Sequence, residues 1–441
     1  MKTQAIRVLF AAVAAVMLAA LPLVGWSVTV DVARFQQRYP WNGLVDIDYT
    51  ITRNQGELDL DPAKNSVEII VVNCDRSPAV TNVAHVFRQG ALPVSDGTHR
   101  VTWGANAEGI NFKSQSVKIF AEIVHYAEKY MVIDVSAGSG SDAIYPVTYL
   151  HGAPEGGFNK EENKAEYKGD KIVLRLIPPG SFVMGSPTNE PQRTVAREVQ
   201  RAVAITKPFY IGVFEITQKQ YLNVTGADPS AKKGEYRPVE KVSFENIRGK
   251  ADLVTHEYDW PWTTSVKETS FMGKLRAKCK EWDPDKQDFT KDVDGLFDLP
   301  TEAQWEYACR AGTTTPFNNG VPCATKSDLE KQLNDLGRYM KNGGSSSQHA
   351  EVGTYAPNDW GLYDMHGNVF EFCLDWFRED VQNLENPSVD PVGDGASLLG
   401  RLVRGGGHGF EASFCRSAHR DYYGSSSSHA YYGFRLSRTL P

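Results

Sequence analysis

The chain has 441 residues, too many for one ordinary hydrophobic core, so more than one domain is expected. Hydrophobic residues make up 41% and charged residues 23%, the balance of a globular protein in water. The formal net charge is −7 and no long basic stripe is present, which argues against nucleic acid as a partner.

In chain order, Lys2 and Arg7 precede the apolar run VLFAAVAAVMLAALPLVG, and small residues follow near Gly25 and Ser27. Charged, apolar, small is the order of a secretory signal. A membrane anchor is the competing reading, but Pro22 and Gly25 interrupt a run that is only just long enough to span. Residues 1–27 are therefore expected to be a signal peptide. The mature chain would be secreted or periplasmic, with no stable membrane insertion after cleavage. Export places Cys74, Cys279, Cys309, Cys323, Cys373 and Cys415 where neighbouring thiols oxidise. None is spaced as CxxC, which disfavours a zinc ribbon.

Residues 28–150 alternate like strands. GLVDIDYTIT puts Val45, Ile47, Tyr49 and Ile51 on one side and Asp46, Asp48 and Thr50 on the other. SVEIIVVN, HRVTWGA, VKIFAEIVHY and YMVIDVSAG follow without an intervening long helix, the pattern of a β-sandwich. This region reads as an adhesive or spacing module. Residues 151–171, HGAPEGGFNKEENKAEYKGDK, read as a linker.

Residues 172–441 mix short strands with few helices. Thr217 with Gln220, and Thr301 with Gln304, form Thr-x-x-Gln capping boxes that open two helices. Gly312 suits the end of the second. Trp305, Ala308 and Cys309 share a face of that helix and read as core. A polar insertion, about 246–297, is expected to wrap the surface.

IPPGSFVMGS, PFYIGVFEITQKQY, RPVEKVSF, LPTEAQWEYACRAG, WGLYDMHGNVFEFCLDW, RLVRGGG, CRSAHR and YGFRLS occur in that order. Together they resemble the formylglycine-generating enzyme, or sulfatase-modifying-factor, family across residues 172–441. The resemblance, which does not cover the N-terminal region, implies an irregular, C-type-lectin-like domain of the formylglycine-generating-enzyme type, often calcium-bound; with the β-sandwich read ahead of it, the chain is expected to be α+β. Its best-known members oxidise a sulfatase cysteine to formylglycine with copper(I), two thiolates and oxygen.

The resemblance also places the chemistry. The two copper ligands lie five positions apart after a Gly-Gly-Ser segment. Here that segment is Gly405, Gly406 and Gly407, the first ligand position falls on Phe410, and the second on Cys415. Cys415 alternatively matches a structural cysteine, which implies a disulfide between Cys309 and Cys415. On either alignment the two-thiolate site is incomplete and copper is not expected. Cys415 and His408 are the remaining catalytic candidates. His408, His419 and His429 offer imidazoles for a different metal, with surface loop histidines as the competing reading.

For calcium, DMHGNVFE supplies Asp364, Gly367, Val369 and Glu371 in the family's N-x-x-G-x-x-x-E order. The competing reading is a plain turn, with Glu371 paired to an arginine. Phe370, Phe372, Trp376 and Phe377 read as core. Tyr422, Tyr423, Tyr431 and Tyr432 flank SSSSHA and offer a recognition surface. The function expected is a calcium-stabilised peptide- or glycan-binding module. The alternative is a metal-dependent oxidase of the same family with a histidine-based or otherwise altered site, acting on sulfatase-type or other substrates.

Overall fold

The computed structural model describes six strands between residues 29 and 125, and everything from residue 129 onward except 294, 344–347, 380, 382–387, 394–398 and 441. The expected signal peptide at 1–27 and Cys74 lie outside the described residues. The chain divides into two compact units, 1–129 and 130–441. No described helix is long and apolar enough to cross a membrane.

The first unit holds β1 (Thr29–Gln37), β2 (Leu44–Thr52), β3 (Asn65–Asn73), β4 (Ala84–Phe87), β5 (Gly97–Gly104) and β6 (Val117–His125). They form two antiparallel three-stranded sheets, β1-β2-β5 and β4-β3-β6. The alternation in β2 is realised: Ile47, Tyr49 and Ile51 are buried. Asp48 and Thr50 face the other way. Asp48 meets its register partner Arg100 at 2.6 Å, and Thr50 meets Thr98 at 2.9 Å. Such cross-strand pairs fix register, because a one-residue slip would turn the apolar set outward.

The second unit is mixed α/β. Its strands are β7 (Tyr130–Asp134), β8 (Tyr145–Leu150), β9 (Lys171–Ile177), β10 (Gly180–Met184), β11 (Arg201–Ile205), β12 (Phe209–Gly212), β13 (Cys279–Asp283), β14 (Asp288–Asp292), β15 (Leu296–Asp298), β16 (Phe370–Trp376), β17 (Ser388–Val389), β18 (Arg401–Arg404), β19 (Asp421–Tyr423), β20 (Tyr432–Gly433) and β21 (Ser437–Thr439). Its described α-helices are α1 (Gln218–Thr225), α2 (Phe244–Ile247), α3 (Phe271–Lys278), α4 (Glu302–Arg310) and α5 (Lys326–Leu333). The main sheet runs β14-β13-β8-β7-β9-β12-β21-β15, and a second runs β19-β18-β16-β20. The central strands are apolar on both faces because both are covered. Met131, Ile133, Ile172 and Leu174 pack into one cluster, while Tyr130, Val132 and Val173 pack into another on the opposite side.

Three boundaries differ from those read in the sequence. Its alternation puts YMVIDVSAG with the first region, but β7 and β8 lie inside the main sheet of the second unit, with β7 paired to β9. That pairing joins residues some forty apart, which local alternation does not encode. The expected linker, 151–171, carries a 3-10 turn (Glu161–Asn163) and a π-helix (Ala165–Asp170), and it buries Lys168. The insertion at 246–297 does more than wrap the surface. Phe271, Met272 and Leu275 of α3 are fully buried, and β13 and β14 extend the main sheet.

Both predicted capping boxes form, at Thr217–Gln220 and Thr301–Gln304. Helix α4 ends one residue before the expected glycine: Ala311 takes the left-handed turn at φ 45°, and Gly312 follows at 93°. Trp305, Ala308 and Cys309 are fully buried, and β16 is buried along its whole length.

Candidate functional site

Strand β18 is followed by Gly405 and Gly406, at φ 88° and 77°. A Cβ on Gly406 would lie 2.5 Å from Cys415 Sγ, so the chain turns there with no room for a side chain. The loop is fastened to the DMHGNVFE segment. Gly367 N donates to Gly405 O at 2.7 Å, and His408 N donates to Asn368 O at 2.8 Å. Within it, Phe410 packs against Phe370, Phe414 and Tyr431, with ring centroids 4.9, 5.3 and 5.1 Å away.

Cys415 is fully buried, 3.8 Å from Glu411 O, and burial pushes its thiol up to about 12. Cys309 is likewise buried and raised by burial to about 12, with its Sγ 3.8 Å from His366 Nε2 and 3.7 Å from Ser417 Oγ. Neutral thiols are neither nucleophiles nor good soft-metal ligands. The expected Cys309–Cys415 disulfide is absent; all five described cysteines are unpaired. The two thiols face different neighbours, and His366 holds both sides. Its Nδ1 donates to Cys415 O at 2.8 Å, while its Nε2 accepts from Asn318 N at 3.1 Å. Mass mapping under non-reducing conditions should return both cysteines as thiols, alkylated only after denaturation. A peptide linking Cys309 to Cys415 would contradict this geometry.

The three histidines of the C-terminal stretch are not gathered. His408 lies against Tyr431 and His349, with centroids 4.9 and 5.4 Å away. His419 packs on Phe414 at 4.9 Å, with Nδ1 3.9 Å from a Glu198 oxygen. His429 is exposed and stacks on Tyr431 at 4.7 Å. Burial lowers His408 to about 4 and His419 to about 3, so both are neutral at ordinary pH.

The DMHGNVFE segment turns through Asp364, Gly367 and Asn368, at φ 56°, 95° and 60°. Gly367 is required twice over, since a Cβ there would also lie 2.2 Å from Arg338 O. Asp364 Oδ2 accepts from Gly353 N at 2.6 Å, while Oδ1 is buried with no hydrogen-bond partner. Glu371 is already held. Arg435 Nε and Nη2 donate to it at 2.6 and 2.7 Å, and Trp305 Nε1 at 2.7 Å.

Glu215 completes the cluster and was missed in the sequence. It accepts from Asn368 Nδ2 at 2.5 Å and Val369 N at 3.1 Å. Its signal was a single carboxylate inside the apolar strand-like run FYIGVFEIT. Burial, then the neighbouring Asp364 and Glu371, pushes the Glu215 carboxyl well above the ordinary range. Burial raises Asp364 to about 6. Lys168 contributes positive charge to Asp364 but is itself lowered by burial.

An oxygen-liganded cation fits this donor set in part. The orphaned Asp364 Oδ1 suits it, and so does the surplus of carboxylates. Glu371 is committed to Arg435, and no three His, Cys, Asp or Glu side chains are gathered for a metal among the described residues. Such an ion would therefore lean on Asp364 and on the backbone carbonyls of Gly367 and Val369.

The arginines of the C-terminal segments all turn inward. Arg416 binds Glu190 and Glu198, Arg420 binds Glu302, Arg404 binds Glu306, and Arg401 binds Asp259. A cleft of about 400 Å³ opens between α1, α2 and α3, lined in part by Tyr221, Asn246, Lys267, Ser270 and Lys274. None of its lining residues comes from the Gly405–Cys415 or Asp364–Glu371 segments.

A family model described as the sulfatase-modifying factor enzyme 1-like domain matches residues 159–440. A formylglycine-generating enzyme of Streptomyces coelicolor is 36% identical over 143 residues, which cover 31% of this chain and 45% of that protein. The Bos taurus formylglycine-generating enzyme is 25% identical over 304 residues, covering 59% of this chain and 72% of its own. A chaperone protein, LppX, of Paenibacillus barcinonensis is 33% identical over 186 residues, covering 38% and 62%. The match thus spans less than two thirds of the length of the Streptomyces and Paenibacillus relatives. Among solved structures, Treponema denticola variable protein 1 aligns with a TM-score of 0.46 at 24% identity, over 62% of this chain and 97% of its own. PvdO from Pseudomonas aeruginosa aligns at 0.44 and 23%, over 61% and 94%.

Proposed function

Because the chain belongs to the sulfatase-modifying factor enzyme 1-like family through its domain at 159–440, we propose that it is an exported member without the two-thiolate copper oxidase site, acting as a calcium-stabilised peptide- or glycan-binding module. One observation carries the reading. Phe410 stands at the position where the resemblance to the family implies the first thiolate, and its ring is packed among Phe370, Phe414 and Tyr431. A benzyl group supplies no lone pair to a soft cation, and Cys415 is a neutral buried thiol. What remains toward solvent is a set of half-buried rings, Phe410, Phe414, Tyr423 and Tyr431, beside the serine-rich loop at 425–428. Rigid rings beside adaptable hydroxyls suit a peptide or a sugar. On this reading the second unit is C-type-lectin-like, and the two sheets of the first unit are halves of a sandwich, supported by β1 lying against β6.

The test is incubation of the full chain with copper(I), oxygen and a peptide carrying the sulfatase cysteine motif. The peptide mass should stay unchanged; appearance of an aldehyde would overturn the reading.

Calcium should raise thermal stability, by about 2.7 kcal/mol at a hundredfold excess over its dissociation constant. EDTA should remove the gain, and Asp364→Asn should abolish the response. The pH dependence has a definite sign. A carboxyl whose folded pKa is raised stabilises when protonated, and that contribution is lost as pH rises through the folded value, about 6 for Asp364. Calcium needs the ionised form, so its increment should grow from about pH 5 to about pH 7. A calcium response that is flat over this range, or intact in Asp364→Asn, places the ion elsewhere.

A further inference from the structure

The cleft between α1, α2 and α3 has a volume of about 400 Å³, within the range of about 300–1,000 Å³ common to small-ligand sites. Two of its lining residues are aromatic. Tyr221 and Phe271 stack on one another, with centroids 5.4 Å apart and planes at 8°, and Phe434 packs edge-on against both. Phe271 is fully buried, so the pair offers little open ring face to a flat ligand such as a nucleobase. The polar end of the pair is the Tyr221 hydroxyl. Tyr221 is 6% exposed and lines the cleft, and its hydroxyl has no hydrogen-bond partner among the described residues. Buried phenols ordinarily find a partner. Burial, then the nearby Asp228, raises this one to about 12 and keeps it protonated. It is a fixed donor directed at whatever occupies the cleft.

The charged lining is unequal. Lys267 and Lys274 face one carboxylate, Glu245, which leaves a surplus of one positive charge. Asp228, the acid that follows α1, is already paired with Lys233 at 2.6 Å. Lys274 Nζ donates to Thr225 O at 2.9 Å, which pins the ammonium and leaves two of its three donors. Lys267 is exposed and forms no ion pair with a described residue. Helix α3 adds its N-terminus, where the backbone dipole favours an anion. Ser270 caps that end, accepting from Gly273 N at 3.1 Å and donating to Lys267 O at 2.6 Å.

The remaining polar groups suit hydroxyls. Asn246 Oδ1 accepts from Ser243 N and Ser243 Oγ, each at 3.0 Å, which fixes the amide and leaves Nδ2 to donate. Glu245 Oε1 accepts from Ser425 Oγ at 3.2 Å, which fixes the carboxylate and leaves Oε2 to accept.

We propose that this cleft binds one acidic sugar of the hexuronate class, with its carboxylate on Lys267, Lys274 and the start of α3 and its hydroxyls on Glu245, Asn246 and Tyr221. The single surplus charge matches a carboxylate rather than a phosphate dianion. The site goes beyond the peptide- or glycan-binding reading, because the rings around Phe410 contribute nothing to its lining. Either can fail while the other stands.

The experiment titrates the full chain with methyl glucuronide at low ionic strength, followed by ligand-observed NMR. One ligand per chain is expected. Methyl glucoside, the same ring without charge, should bind at least about tenfold more weakly. Lys267→Met, at an exposed position, should weaken glucuronide binding at least about fivefold, and Tyr221→Phe about three- to tenfold. Unliganded thermal unfolding of Lys267→Met should match wild type, which shows that it is folded. Glucuronide that does not bind, or that binds Lys267→Met as tightly as wild type, would overturn the proposal. Equal binding of methyl glucoside would overturn the role of the charge. Inorganic phosphate bound as tightly as the glucuronide would overturn the sugar assignment.

Discussion

Replacing Arg435 with Leu should cost about 3–5 kcal/mol of folding stability, the range for removing one partner of a buried ion pair. Arg435 and Glu371 are both fully buried. The guanidinium forks onto both Glu371 oxygens and also donates to Gly212 O and Tyr363 O, each at 2.9 Å. Without it, Glu371 keeps only the Trp305 indole, and two further carboxylates, Glu215 and Asp364, lie in its field. Gly212 and Tyr363 also lose a donor to their carbonyls. Equilibrium unfolding in urea, read by circular dichroism, measures the loss. The double variant Arg435→Leu with Glu371→Gln should recover part of it, because the stranded charge is removed as well. A cost below about 1 kcal/mol for the single variant would mean that the pair is solvated rather than buried.

The second large effect is an acid lability that belongs to His419. Burial, then the adjacent Arg416, lowers its folded pKa to about 3, against an unfolded value of about 6.5. The folded state binds fewer protons than the unfolded one as pH falls. Stability from this group is therefore complete above about pH 6.5 and drains away toward about pH 4. Wild type alone does not isolate the effect. Asp375 and Asp364, raised mainly by burial to about 7 and about 6, take up protons in the folded state over the same range and act in the opposite sense. The comparison with His419→Leu isolates it. The variant should match wild type within about 1 kcal/mol near pH 7 and exceed it by roughly 3 kcal/mol near pH 4. Parallel pH profiles for the two proteins would show that His419 is reached by water and titrates normally.

What was readable from the sequence was local. The alternation in β2 follows from a period of two, and the caps of α1 and α4 need only residues three apart. Order of segments was enough for the family, since eight short matches in series leave few alternatives. The errors share another property. The pairing of β7 with β9, the burial of α3 and the separate surroundings of Cys309 and Cys415 depend on residues far apart in the chain. The cysteine pairing was inferred through the family resemblance, and two thiols matched in that way need not share a contact. Glu371 illustrates an alternative that only three dimensions could resolve, because its arginine comes from residue 435. Its carboxylate neighbour Glu215 looked like one more strand residue until the chain brought Asp364 beside it.

The inward-turned arginines carry a consequence for how this chain is recognised. RLVRGGG, CRSAHR and YGFRLS are the segments by which it announces its kinship, and their cationic residues spend their charge on partners inside the fold. Those segments are foundations. They hold this chain's strands and loops together, so the likeness by which it is placed rests on the scaffold and leaves the chemistry above it to be argued from other residues.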